Sequence, residues 1–424
     1  MKSIIFGIGM FYEKYKTYIN DEIVGYIDNN NVGKKMPDGK KVISINEIKS
    51  LQFDRIIISS TKFAKEMINQ LKEIDVDLLE KTILINEIEK TDFFVSKYKK
   101  EIVNNINKKR ALSYKKCYIV SPCDFTSGGP ELLHQLAFSL KKEKIAVYIA
   151  YYGERKNKTI TPIEYSKYVS DNVIYIDEIE DVKENLVIIP EVRTDLIEKI
   201  NNAGIYLWWL SVDFFFKTVN LESISTIFKK VELHLYQSEY AKSFLMDIGV
   251  NENMLFYLGD YLNEDYLNNK YLKNKEDIIV YNPKKGINKT LLLKELLIGY
   301  SLIPIENMSR DEVKNLLQKS KVYIDFGNHP GKDRLPREAA MMGCCIICGM
   351  EGAAGNEVDV PIDDKYKISE KEKNWANKAC KIIKECIKNY DENNKNFKNY
   401  REKIKKEKDA FEFQVKMLVE RLKS

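Results

Sequence analysis

Short apolar runs alternate with amphipathic stretches along nearly the whole chain. KSIIFGIG, EIVGYIDNN and FDRIIISST near the start read as strands. So do CYIVSP, AVYIAYYG, NVIYI, NLVIIP, GIYLWWLSV and HLYQS in the middle, and DIIVYNPKKG, YSLIPI, KVYIDFG and CCIICG further on. Most are continuously apolar rather than alternating, the habit of strands buried on both faces of a parallel sheet. Between them lie helical patterns such as FAKEMINQLKEI, ELLHQLAFSLKKEK and NKTLLLKELL. Strand–helix alternation of this kind predicts an α/β protein with helical crossovers.

The pattern divides into three Rossmann-like units. The first covers 1–90. A Lys/Asn-rich helical linker follows at 91–112, the second unit spans 113–270, the third 271–390, and a helical tail closes the chain at 391–424. From about 368 the pattern turns helical, and Trp375, Ala379, Ile382, Ile383 and Cys386 recur at helical spacing, so one face of this stretch packs on its own domain.

A length of 424 residues accommodates two or three domains of about 100–200 residues each. The 68 basic and 63 acidic side chains leave a net charge of only +5, too balanced for nucleic acid, and no DNA- or RNA-reading motif is present. MKSIIFGIGM reads as a strand rather than a signal peptide. No apolar run approaches the roughly 18 residues of a membrane span. Seven cysteines in mostly apolar runs predict reduced, buried thiols. Cys345-x-x-Cys348 lies in a strand, where that offset points the two side chains to opposite faces, and a second ligand pair for zinc is missing. The expectation is a cytoplasmic protein. Peripheral association with the inner face of the membrane and homo-oligomerisation stay open.

The densest chemistry is NHPGKDRLPREAAMMGCCIICG at 328–349. It follows a strand, and Pro336 suits the first position of a helix that Gly343 would end in left-handed conformation. Ligands of open parallel sheets gather at the carboxyl ends of strands, where helices begin. A helix N-terminus beside Lys332, Arg334 and Arg337 suits a phosphate. Glu338 would then accept hydrogen bonds from neutral hydroxyls such as those of a ribose. The alternative is that Asp333, Arg334, Arg337 and Glu338 pair with one another and fix the loop. VYNPKKG places a second basic turn, Lys284, Lys285 and Gly286, at the end of another strand.

Residues from about 113 to 390 resemble the GT-B glycosyltransferases, nearest the family-four type. The likeness rests on SGGPELLHQLAFSLKKEKIAVYIA, YNPKKG and REAAMMGCCIICG, in that order. It implies two Rossmann-like domains facing a cleft, and transfer of a sugar, hexosyl in type, from a nucleotide-diphosphate sugar. The acceptor would be a glycan, a lipid-linked molecule or a protein in bacterial surface polysaccharide or glycoconjugate synthesis. Bacterial origin is inferred from the Lys/Ile/Asn/Tyr bias and the family.

On the same resemblance Glu338 orients the ribose, while Lys284, Lys285, Arg334 and the helix start stabilise the leaving diphosphate. Gly286, His329, Gly331, Lys332, Asp333 and Arg337 join the donor site. Gly128 and Gly129 let backbone approach the donor, and Asp213 is a candidate acceptor base. The family's acid eight residues before the ribose-binding Glu is replaced here by Pro330, which puts sugar identity and stereochemistry in doubt. The resemblance also implies no cofactor or metal, since in that fold basic side chains and helix ends neutralise the leaving diphosphate, and Asp75-Val76-Asp77, the single D-x-D, reads as a surface turn. Trp208, Trp209 and His234 read as core, and His134 as a buried helix residue.

The N-terminal unit resembles short Rossmann-like modules attached to sugar-modifying and polysaccharide enzymes. Gly7-x-Gly9 lacks the third glycine of a dinucleotide fingerprint, while Asp28 stands where a ribose-binding acid would. Ligand binding there and simple docking both stay open. Two rival functions remain: an NAD(P)-dependent sugar oxidoreductase or epimerase using this module, and a non-catalytic nucleotide-sugar-binding scaffold.

Overall fold

The computed structural model describes residues 1–106, 113–123, 125–154, 161–169, 171–267 and 274–423. The end of the expected linker at 107–112, and the expected boundary at 270–271, lie outside these residues.

Three parallel sheets follow one another along the chain. The first contains β1 (Lys2–Phe6), β2 (Glu22–Ile27), β3 (Val42–Ile43), β4 (Arg55–Ile58) and β5 (Thr82–Leu84), in the order β3-β2-β1-β4-β5. The second contains β6 (Lys116–Pro122), β7 (Ala146–Tyr152), β8 (Val173–Tyr175), β9 (Asn185–Pro190), β10 (Gly204–Trp209), β11 (Leu233–Tyr236) and β12 (Leu255–Tyr257). Its order is β12-β11-β10-β9-β6-β7-β8, which puts β9 at the centre. The third contains β13 (Glu276–Tyr281), β14 (Ser301–Pro304), β15 (Ser320–Asp325), β16 (Cys345–Gly349) and β17 (Lys367–Ile368), ordered β14-β13-β15-β16-β17. Every residue of β9, β10 and β16 is buried, as sheets covered on both faces require.

The connecting and terminal helices are built in, not appended. In the helix Thr91–Asn105, Phe94, Tyr98 and Ile102 fall on one face, and Phe94 packs edge-on against Phe215 and Phe216 of the second unit. That helix is therefore part of the second unit's core, where the sequence read as a polar linker. Trp375–Lys388 buries its apolar face on the third sheet. The last helix, Glu407–Lys423, returns to the second unit: Phe411, Val415, Leu418 and Leu422 share a core with Leu132, Leu136 and Leu140.

The N-terminal module touches both of the others. Its core is continuous with that of the third sheet, and the Asn288 amide donates to Thr82 O at 2.5 Å. Against the second unit, Tyr18 meets Phe216 edge-to-face and Lys14 donates to Lys217 O. All seven cysteines are free thiols. No helix among the described residues is long and apolar enough to cross a membrane.

Candidate functional site

Between the second sheet's lobe and the third sheet's lobe lies a cavity of about 820 Å³, lined from both sides. Strand ends and helix starts make its walls, as the topology of open parallel sheets requires.

On the C-terminal lobe the chain leaves β15 at Asp325 and enters the helix Arg334–Met341. This helix starts two residues earlier than Pro336 had predicted, so the proline occupies its third position. It is tolerated there because first-turn N–H groups have no intrahelical acceptor. Gly343 ends the helix at φ 83°. Glu338 faces the cavity, and its carboxylate has no hydrogen-bond donor among the described residues. Burial raises its pKa, with Arg334 and Arg337 opposing.

Lys285 reaches across from the β13 turn. Its ammonium lies 3.2 Å from Asp325 Oδ1, 2.7 Å from Asp333 Oδ2 and 3.4 Å from His329 Nδ1. Burial opposes the Lys285 charge, but the two carboxylates hold its pKa above the ordinary lysine value. Burial likewise works against the Asp333 anion, yet Lys285 and His329 keep its carboxyl well below the usual range. Asp325, His329 and Asp333 could group around a cation by composition and distance. The positive charge among them belongs to the chain itself, through Lys285. His329 is buried and absent from the cavity wall, so it orients Asp333 (2.9 Å) instead of meeting a donor. The neighbouring Lys284 is exposed and lines the cavity with no ion-pair partner among the described residues.

Several other residues read as donor contacts have structural partners. Arg337 is buried and off the cavity wall, with Nη2 2.5 Å from Asp260 and Nη1 2.7 Å from Glu407. Lys332 pairs with Glu407 at 2.7 Å and approaches Asp260 at 3.5 Å. Asp260 follows β12 and Glu407 begins the last helix, so these pairs bind the lobes and the tail together. Buried guanidinium and carboxylate groups require such partners. Arg334 lines the cavity but is held by Glu131 at 2.6 Å. Gly286 lies off the cavity wall, with φ 50°; a Cβ there would stand 2.1 Å from Phe326 O, and its N–H donates to Glu87. Gly331 does line the cavity, but it is glycine because the lobes touch there: a Cβ would stand 2.3 Å from Leu210 O. Next to it, Pro330 O accepts the Val212 N–H at 3.0 Å.

The opposite wall comes from the second sheet. Gly128 and Gly129 open the helix Gly128–Lys142 at the cavity, and their N–H groups have no intrahelical acceptor. A Cβ on Gly128 would stand 3.0 Å from Arg334 Cδ. Asp213 departs from expectation. It is 8% exposed, absent from the cavity wall, and accepts a hydrogen bond from the Asn328 amide. Burial pushes its pKa up to about 6, with Lys90 and Lys217 opposing. Its helix, Val212–Thr218, instead turns Phe214 to the cavity. Glu191, the residue after β9, does line the wall; nothing in the sequence distinguishes it beyond its place at a strand's carboxyl end. Trp208, Trp209 and His234 are core, and Trp209 donates to His234 Nδ1. His134 is enclosed by Pro130 O and Tyr151 OH, and burial lowers its pKa to about 4. Asp75 caps the turn Val76–Leu79.

In the N-terminal module Asp28 closes its own loop. One oxygen accepts from Ile8 N–H between the two glycines, the other from Asn30 N–H and the Asn31 amide. Gly7 adopts φ 93° beside Ser59, while a Cβ on Gly9 would meet nothing.

A family model described as C2185-like, N-terminal, matches residues 1–84. No curated protein matches. Solved structures do. TarM aligns with TM-score 0.54 at 11% identity, over 73% of this chain and 99% of that one. The sucrose-phosphate synthase of Thermosynechococcus elongatus aligns with TM-score 0.50 at 12% identity, over 73% and 99%. Anabaena HepE, in complex with UDP and glucose, aligns with TM-score 0.50 at 11% identity, over 72% and 99%. The chain has the GT-B glycosyltransferase fold.

Proposed function

We propose that this chain transfers a sugar from a nucleoside-diphosphate donor to a glycan, lipid-linked or protein acceptor. The observation that carries the reading is Glu338, an acid without a hydrogen-bond donor that lines the same cavity as Lys284, Arg334 and, on the opposite wall, the Gly128–Gly129 helix start. Next to cations and open N–H groups an isolated carboxylate is unfavourable for a phosphate alone. It fits a ligand carrying both an anion and a diol, which is a nucleotide.

The donor's pyrophosphate would lie against Lys284, Arg334 and the Gly128 and Gly129 N–H groups, with Lys285 behind. Each charge-assisted bond contributes about 1.5–3 kcal/mol. These donors are fixed before the reaction, so they stabilise charge as it develops on the departing diphosphate. The ribose diol would donate to Glu338. A cavity of about 820 Å³ is within the size class of small-ligand sites. The likeness in fold to HepE, solved with UDP and glucose, supports a uridine nucleotide as the first donor to try. The engagement of Asp28 within its own loop disfavours a dinucleotide at the N-terminal module.

A thermal-shift screen of UDP, GDP, ADP and their common sugar conjugates tests this. Stabilisation follows occupancy, reaching about 2.7 kcal/mol at a hundred times Kd. One nucleoside diphosphate should raise the unfolding temperature of the wild type and fail to do so with Glu338→Ala. No shift with any of them refutes the reading.

A further inference from the structure

Glu191 sits at the carboxyl end of β9, the central strand of the seven-stranded sheet, and lines the cavity. It is 1% exposed. Its Oε2 accepts the Leu210 N–H at 3.0 Å, and the backbone N–H groups of Glu191 and Ser211 also lie against the carboxylate. The other shielded acids lining the cavity have cations beside them. Glu131 has Arg334 and Arg310, Asp325 and Asp333 have Lys285, and Glu338 has Arg334 in the next turn. Glu191 has no ion pair among the described residues. Burial, against backbone N–H groups of Leu210, Glu191 and Ser211, therefore pushes its pKa up to about 8.

We propose that Glu191 is the base that takes the proton from the acceptor hydroxyl. The inference rests on the glycosyl-transfer reading above. The acceptor oxygen bonds to the donor's anomeric carbon as that carbon's bond to the diphosphate oxygen breaks. The diphosphate leaves with the bonding pair, and the acceptor proton moves to the Glu191 carboxylate and from there to water. A carboxylate with little stabilisation as an anion is a stronger base than an ion-paired one, and a base works best with its pKa near the operating pH. Titratable and charged groups around it are Tyr152 at the end of β7, Arg193 stacked on the Tyr152 ring at 4.1 Å, and, across the cavity, Lys285, Asp333 and Arg334. Asp213, the sequence's candidate for this role, does not reach the cavity wall.

The test uses the full chain, with UDP binding measured calorimetrically and release of nucleoside diphosphate followed from a panel of nucleotide sugars including UDP-glucose, with water as acceptor. Glu191→Gln keeps the side chain's shape and its bond to Leu210 N–H. It should retain nucleotide affinity within about twofold, lose turnover by about 10²–10⁴-fold, and lose the rise in rate with pH that the wild type displays approaching its plateau. Glu191→Asp should keep a weakened rate with that pH rise still present. Turnover by Glu191→Gln at the wild-type rate with an unchanged pH profile overturns the proposal and leaves the glycosyl-transfer reading standing. A wild type that neither binds nor turns over any nucleotide of the panel removes that reading, and this inference with it.

Discussion

The Lys285 ammonium and the Asp333 carboxylate lie 2.7 Å apart at the join between the β13 turn and the helix that carries Glu338. The two basic stretches that looked like separate phosphate contacts are thus one ion-paired unit. Asp325 holds the other side of Lys285 at 3.2 Å. The unit fixes the turn and the helix relative to each other, and Lys284 and Arg334 are carried to the cavity on it.

That arrangement sets a pH dependence. Asp333 has a depressed folded pKa, so its contribution to stability is complete above the unfolded carboxylate value, near 4, and is lost as pH falls through the folded value below it. Lys285→Ala removes the partner and returns the Asp333 pKa upward, so acid unfolding should begin at higher pH than in the wild type. Circular dichroism across an acid titration checks this. A midpoint at the same pH in both proteins contradicts the pairing.

Arg337 should behave as a structural residue. Arg337→Ala leaves Asp260 and Glu407 facing each other without their guanidinium, at a cost of about 3–5 kcal/mol. Urea unfolding should register the loss. Arg337→Ala at wild-type stability with weakened nucleotide affinity would return the residue to the donor site.

The two lobes meet at Gly331. Gly331→Ala drives a Cβ into the Leu210 carbonyl and should destabilise by about 1–3 kcal/mol while reducing nucleotide affinity. Gly9→Ala meets open space and should change stability by less than about 0.5 kcal/mol and leave nucleotide affinity as it was. Calorimetric titration with UDP beside a melting curve separates the two.

Asp213→Asn should leave nucleotide affinity and turnover within about twofold of wild type, because the side chain faces Asn328 and Lys90 rather than the cavity. Loss of turnover by the roughly 10²-fold or more expected of a base would place it back in the chemistry.

Much of this architecture is readable from local pattern. Strand ends, basic turns and helix starts are short-range features, so the places of Lys284, Gly128, Gly129 and Glu338 follow from periodicity and turn chemistry. The partners of the cations do not. Arg337 meets Asp260 and Glu407, each some 70 residues or more away, and no rule of spacing joins them. Charges that look free in the sequence therefore read as ligand contacts. Asp213 departs from its expected place for a smaller reason: one residue's rotation on a seven-residue helix decides whether it or Phe214 meets the cavity. The helix Thr91–Asn105 reads as a helical linker because Lys and Asn outnumber its three core residues, and their spacing is the signal that reveals its packing on the second unit. Glu191 is a single acid after an apolar strand, and only the sheet order places it at the centre.

The most direct measurement is a crystal structure of the chain with UDP. The nucleotide should lie between the second and third sheets, with ribose hydroxyls about 3 Å from the Glu338 carboxylate and phosphate oxygens on Lys284 and the Gly128 and Gly129 N–H groups. UDP seated beside Gly7 and Gly9 in the N-terminal module, with the interlobe cavity open, would contradict it.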